Sequence, residues 1–82
     1  MRIKKNIAVS ETGFVFDPTS GESYSINREG QEIIGMLKEG KTPQEISVAM
    51  CSQYEIDTAG FEKYFFDFIS MLRQFHLLED EG

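Results

Sequence analysis

Cys51 and His76 are the side chains of this 82-residue chain best suited to nucleophilic or general-base chemistry near neutral pH, and each is the sole residue of its type. A catalytic thiol needs a base within hydrogen-bond reach and a third group to orient that base. The two residues fall in different helical segments, Cys51 in "VAMCSQ" and His76 in "RQFHLL", and no orienting partner accompanies either. Cys51 reads as a small core or boundary residue. A zinc site would have to recruit carboxylates, and the fourteen Asp and Glu residues are scattered as solvating charges are. Gly21, Gly30, Gly35, Gly40 and Gly60 are spaced for turns, caps and helix packing, not for cradling a phosphate. The sequence therefore offers no catalytic residue, no metal site and no cofactor site.

What the remaining residues must build is bounded by length and charge. A chain of 82 residues suits a single domain, 1–82, with one modest core, and 40% apolar residues with seven phenylalanines can supply it. One cysteine makes no internal disulfide, and no basic-then-apolar run opens the chain, so a cytoplasmic protein is expected. No apolar run approaches the roughly 20 residues of a membrane-spanning helix. The net charge is −6, and three of the eight basic residues are Arg2, Lys4 and Lys5. Residues 6 to 82 hold the other five against all fourteen acids, a net of −9. Such a body repels phosphate backbones, which argues against nucleic acid as a partner.

The pattern gives strands first and helices after. Ile3, Ile7 and Val9 partly alternate with polar residues and suggest a first strand over about 3–9. In "GFVFDPTSGESYSIN", Phe14 and Phe16 share one face of a strand at 14–17, and Tyr24 and Ile26 one face of a strand at 23–26. Asp17, Pro18 and Gly21 give the turn between them its chemistry: a turn-favouring acid, a fixed φ and a residue free at positive φ. From Asn27 the period becomes helical. Asn27 caps a helix at 28–39 with Gly30, Ile33, Ile34 and Leu37 on its stripe, and Gly40 closes it. "TPQE" opens a helix at 43–54, with Thr42 and Glu45 as a capping box and Ile46, Ala49 and Met50 as its buried stripe. Asp57 caps a third helix at 58–75. The expected fold is α+β and winged-helix-like, an N-terminal three-stranded antiparallel sheet followed by a three-helix bundle.

The run from Phe16 to Ile46, "FDPTSGESYSINREGQEIIGMLKEGKTPQEI", resembles the core of the PqqD family, the small proteins of pyrroloquinoline quinone synthesis. Asp17, Gly21, Tyr24, Ile26, Asn27, Ile33, Leu37, Gly40, Thr42, Glu45 and Ile46 fall in the family's order, and "FHLLED" resembles its closing segment. The resemblance implies a RiPP recognition element: a module that binds the leader segment of a ribosomally made precursor peptide and presents it to a modifying enzyme, often a radical SAM protein. It implies no catalysis. It also places the leader between the third strand and the third helix.

The residues give that implication a location. A third strand that leads from a hairpin into a helix can be a sheet edge, whose unpaired N–H and C=O groups can accept an added strand. Ser23 and Ser25 leave one face of "ESYSI" low and polar, while Tyr24 and Ile26 anchor the other. On the third helix, at about 100° per residue, Phe61, Tyr64, Phe65, Phe68, Ile69, Met71, Leu72 and Phe75 fill an arc of about 160°. Phe66 lies outside it, with Arg73 on the same flank. Phe66 either packs under the first strand or forms a recognition surface. The candidate peptide-binding residues are thus Ser23, Tyr24, Ser25, Ile26, Phe66, Ile69 and Arg73. The competing class is a winged-helix DNA-binding regulator, but the third helix sets Lys63 and Arg73 against Glu62 and Asp67, a neutral and aromatic helix where base readout favours a basic one.

Overall fold

The structure, a computed structural model, describes residues 2–79. Asp80, the last residue of the closing segment, lies outside them. Eight elements follow in order: β1 (Arg2–Ile3), β2 (Ala8–Val9), β3 (Phe14–Asp17), β4 (Glu22–Ser25), α1 (Arg28–Lys38), α2 (Pro43–Tyr54), α3 (Thr58–Gln74) and β5 (Leu78–Glu79). An antiparallel sheet runs β2-β3-β4, so β3 is central and β4 an edge, and β1 pairs separately with β5.

The stretch expected as one strand is therefore two, and parity explains the break. In a continuous strand Ile3, Lys5, Ile7 and Val9 would share a face, which would drive Lys5 into the core beside both isoleucines. The chain instead turns, with the Ile7 N–H donating to the Lys4 carbonyl at 3.1 Å. Ile3 and Ile7 are both buried while Lys5 and Asn6 stay exposed. β1 is thereby freed to meet β5, a strand with no signal in the sequence beyond two leucines.

The hairpin forms as its turn chemistry dictates. The Asp17 carboxylate accepts the Thr19 N–H at 2.9 Å, and the Asp17 carbonyl accepts the Gly21 N–H at 2.8 Å. The Asn6 amide reaches Thr19 Oγ1 at 2.7 Å and ties the first turn to this one.

Each helix starts on the cap its sequence carries. Asn27 Oδ1 accepts from the Gly30 N–H and Asp57 Oδ1 from the Gly60 N–H, both at 2.9 Å. Thr42 Oγ1 accepts the Glu45 N–H at 3.1 Å while the Glu45 carboxylate accepts the Thr42 N–H at 2.9 Å, a complete capping box. The backbone hydrogen bond from Thr42 is the main reason the Glu45 carboxyl sits below the usual glutamate range. α1 ends in a Schellman motif, with Gly40 at φ 81° and the N–H groups of Gly40 and Lys41 donating to Leu37 and Met36.

The core joins Ile3, Ile7, Val15, the α1 residues Ile33, Ile34 and Leu37, and Phe61, Phe68, Ile69 and Leu72 of α3. Ile46 and Met50 of α2 are buried in it, whereas Ala49 of the expected stripe is exposed. α3 approaches α1 at Gly30, where a Cβ would stand 2.9 Å from the Phe68 ring. Any larger residue there would require the Phe68 ring to shift.

Candidate functional site

The free side of β4 can be resolved into individual backbone groups. Register pairs Phe14 with Ser25, Val15 with Tyr24, Phe16 with Ser23 and Asp17 with Glu22. The Ile26 N–H donates to the Gly13 carbonyl at 2.8 Å, which continues the same register by one pair. Antiparallel ladders alternate between bonded and non-bonded pairs, so Ile26, Tyr24 and Glu22 face β3 with their N–H and C=O groups. The other side of β3 agrees. The Phe14 carbonyl is taken by the Ser10 N–H at 2.8 Å, so Phe14 is committed to β2 and does not serve Ser25. Ser23 and Ser25 therefore aim their N–H and C=O groups away from the sheet. Among the described residues no other group hydrogen-bonds to them.

The side chains of the same strand alternate. Tyr24 and Ile26 are half-buried against the core, and Ser23 and Ser25 are exposed on the opposite face. The Tyr24 ring stacks on Phe75, just past α3, with centroids 4.4 Å apart, and its hydroxyl donates to the Glu22 carboxylate at 2.7 Å. That bond, to a residue two positions back along β4, raises the Tyr24 phenol above the ordinary tyrosine range. The open edge is thus bordered on its core side by an aromatic floor of Tyr24 and Phe75, with Met71 one turn earlier on the same flank of α3.

The remaining candidates stand elsewhere. Phe66, Ile69 and Arg73 lie on the opposite flank of α3, where with Pro43, Val48 and Cys51 of α2 they line a groove of about 730 Å³. Phe66 is 72% exposed, so it does not pack under the N-terminal strand. The structure brings Ser23, Tyr24, Ser25 and Ile26 together along one edge, and Phe66, Ile69 and Arg73 together in one groove. It does not join the two sets. Phe75, absent from the candidates, is the helix-side residue that touches β4. The sequence shows it on the apolar arc but carries no signal for which end of that arc meets the strand.

The residues with latent chemistry have structural surroundings. Cys51 is half-buried on the groove wall, its sulfur 3.9 Å from the Ser47 hydroxyl. His76 follows α3 in the left-handed conformation, φ 60°. Among the described residues no group of three or more His, Cys, Asp or Glu side chains could hold a metal ion, and no helix is long and apolar enough to cross a membrane.

Residues 13–78 match the family of coenzyme PQQ synthesis protein D, PqqD. No curated protein matches the chain. Among solved structures, TbiB1 in complex with the TbiA(beta) leader peptide is similar with a TM-score of 0.90 and 27% identity, over 100% of this chain and 99% of that one. Lasso peptide synthetase B1 complexed with the leader peptide is similar with a TM-score of 0.78 and 24% identity over 89% of each chain, a likeness of fold.

Proposed function

Since the chain belongs to the PqqD family, we infer that it binds the leader segment of a ribosomally synthesised precursor peptide as a strand added to β4, and presents it to a modifying enzyme. The observation that carries this reading is the row of outward N–H and C=O groups at Ser23 and Ser25 beside the Tyr24–Phe75 floor. Main-chain bonds would hold an extended peptide there, and the floor would select the side chains that point inward. The similarity to TbiB1, solved with a leader peptide, supports the same ligand class. In this reading the protein performs no catalysis, works in the cytoplasm where precursor peptides are made, and needs no cofactor. A radical SAM protein is the receiving enzyme that the family resemblance implies, and co-purification with a radical SAM maturation enzyme tests that step.

Ser23, Tyr24, Ser25 and Ile26 are the leader-binding residues of this proposal. We assign Phe66, Ile69 and Arg73 to a second surface, the α2–α3 groove, available to the receiving enzyme. The DNA-binding alternative gains nothing from the fold: α3 is neutral in charge and exposes a phenylalanine where a recognition helix would expose basic and polar residues.

Ser25→Pro tests the strand-addition reading. It removes an outward N–H while sparing the ladder to β3, so the fold should persist and affinity for a synthetic leader should fall about fivefold or more, the net value of one hydrogen bond. Titration by fluorescence anisotropy, with circular dichroism to verify folding, checks it. Unchanged affinity in the folded variant would remove strand addition from the account.

A further inference from the structure

The outer face of the sheet carries an aromatic ridge that neither the core nor the Tyr24–Phe75 floor uses. Phe14 is 53% exposed and Phe16 44% exposed, both on the face of β3 turned away from the helices. Their cross-strand neighbours are all small: Ala8 and Ser10 on the β2 side, Ser23 and Ser25 on the β4 side. Large aromatic side chains in a sheet ordinarily gain from pairing with large neighbours, and here none is provided. The serines form a shallow trough between this ridge and the open edge, and their own backbone groups are the ones that face outward. Any strand added to β4 therefore lays alternate side chains on the outer face, directly beside the trough.

We propose that the outward-facing side chains of the bound leader are large and apolar, and that they lie across Ser23 and Ser25 onto Phe16 and Phe14. The inference rests on strand addition to β4 and adds a second specificity surface to it. The added strand and β3 are two strand spacings apart, about 10 Å, a gap that two large side chains close jointly only because the residues between them are serines. The leader would then be gripped on both faces, its inward residues by Tyr24 and Phe75 and its outward residues by Phe14 and Phe16. Leaders with charged or small residues at the outward positions would leave the ridge in water and bind less well.

The test uses a phage-displayed library of random twelve-residue peptides selected on the full chain, keeping binders whose affinity falls on Ser25→Pro. One such peptide is scanned with serine at every position against the wild type and against the Phe14→Thr/Phe16→Thr double variant, threonine preserving strand propensity on an exposed face. The expected result is a double-mutant cycle with coupling at alternate peptide positions. There, serine weakens wild-type binding about fivefold and leaves binding to the double variant unchanged. The single variant Phe16→Thr provides the same cycle for the Ser23 side if the double variant is poorly folded. Additive effects at every position would overturn the two-faced grip while leaving strand addition in place. A library that yields no binder sensitive to Ser25→Pro would overturn strand addition, and this inference with it.

Discussion

His76 stands at φ 60°, a conformation that places a Cβ against the following carbonyl. It is held there because it occupies the left-handed position of a Schellman motif at the end of α3: the His76 N–H donates to Arg73 and the Leu77 N–H to Leu72, each at 3.0 Å. Leu72 and Leu77, buried together, complete the motif with the apolar contact that commonly accompanies it. His76→Gly should therefore raise unfolding stability by about 1 kcal/mol, the αL penalty relieved less the added chain entropy of glycine. Denaturant titration checks this, and loss of stability would mean that the imidazole makes a contact worth more than the strain. The same scale separates the two surfaces of α3. Arg73→Ala alters the α2–α3 groove and not the β4 edge, so leader affinity should change by less than about twofold. A larger loss in an anisotropy titration would bring the groove into the leader site. The sequence exposes Phe66 and Arg73 as outliers from an apolar arc, but an arc has two flanks. The Tyr24–Phe75 stack, a contact between residues far apart in the chain, shows which flank meets β4.

Elements were legible where their boundaries are local events. Asn27, Thr42 and Asp57 announce helix starts because each satisfies an orphan N–H within three residues of itself, and Asp17 through Gly21 announce a reversal for the same reason. The β1–β2 break leaves its one trace in parity: Ile3, Ile7 and Val9 all fit one strand, but Lys5 falls on the same face, and the chain turns to keep it exposed. The capping box of α2 offers a test with two independent halves. Thr42→Ala strands the Glu45 N–H and should cost about 1 kcal/mol of stability, with leader affinity unchanged because α2 lies away from the β4 edge. Glu45→Ala removes the titrating half. The Glu45 carboxyl is lowered in the folded state, so its contribution is fully present above the ordinary glutamate range and is lost as pH falls through its depressed value. The gap between wild type and Glu45→Ala should accordingly narrow in acid, and thermal melts across that range measure it.

For the molecule as a whole, charge and aromatic placement distinguish one face of the surface from another. A net charge of −6 disfavours polyanions, while the phenylalanines left in water, Phe14 and Phe16 on the sheet and Phe66 on α3, lie on two different faces. The sheet that presents β4 is not the one that joins the first and last described elements. β1 meets β5 in register, Ile3 opposite Leu78, and the Lys4 N–H donates to the Leu77 carbonyl at 3.0 Å. This pairing brings a residue from the start of the chain and one just past α3 into a single core, so Ile3 and Leu77 are both buried although neither belongs to the hairpin or the helical stripes. Because β1 belongs to a sheet separate from β2–β4, stability and recognition should part at Ile3. Ile3→Ala deletes buried methyl groups and loosens the clasp, so unfolding free energy should fall by about 2–4 kcal/mol, a large share of the roughly 5–15 kcal/mol that holds a domain together. The β4 edge and its Tyr24–Phe75 floor keep their geometry in every molecule that remains folded. Leader titrations in conditions where Ile3→Ala is fully native should therefore return the wild-type affinity while its denaturant midpoint moves sharply down. A parallel loss of both would show that the clasp at β1 and β5 holds the leader edge in place, and that the two sheets act as one unit.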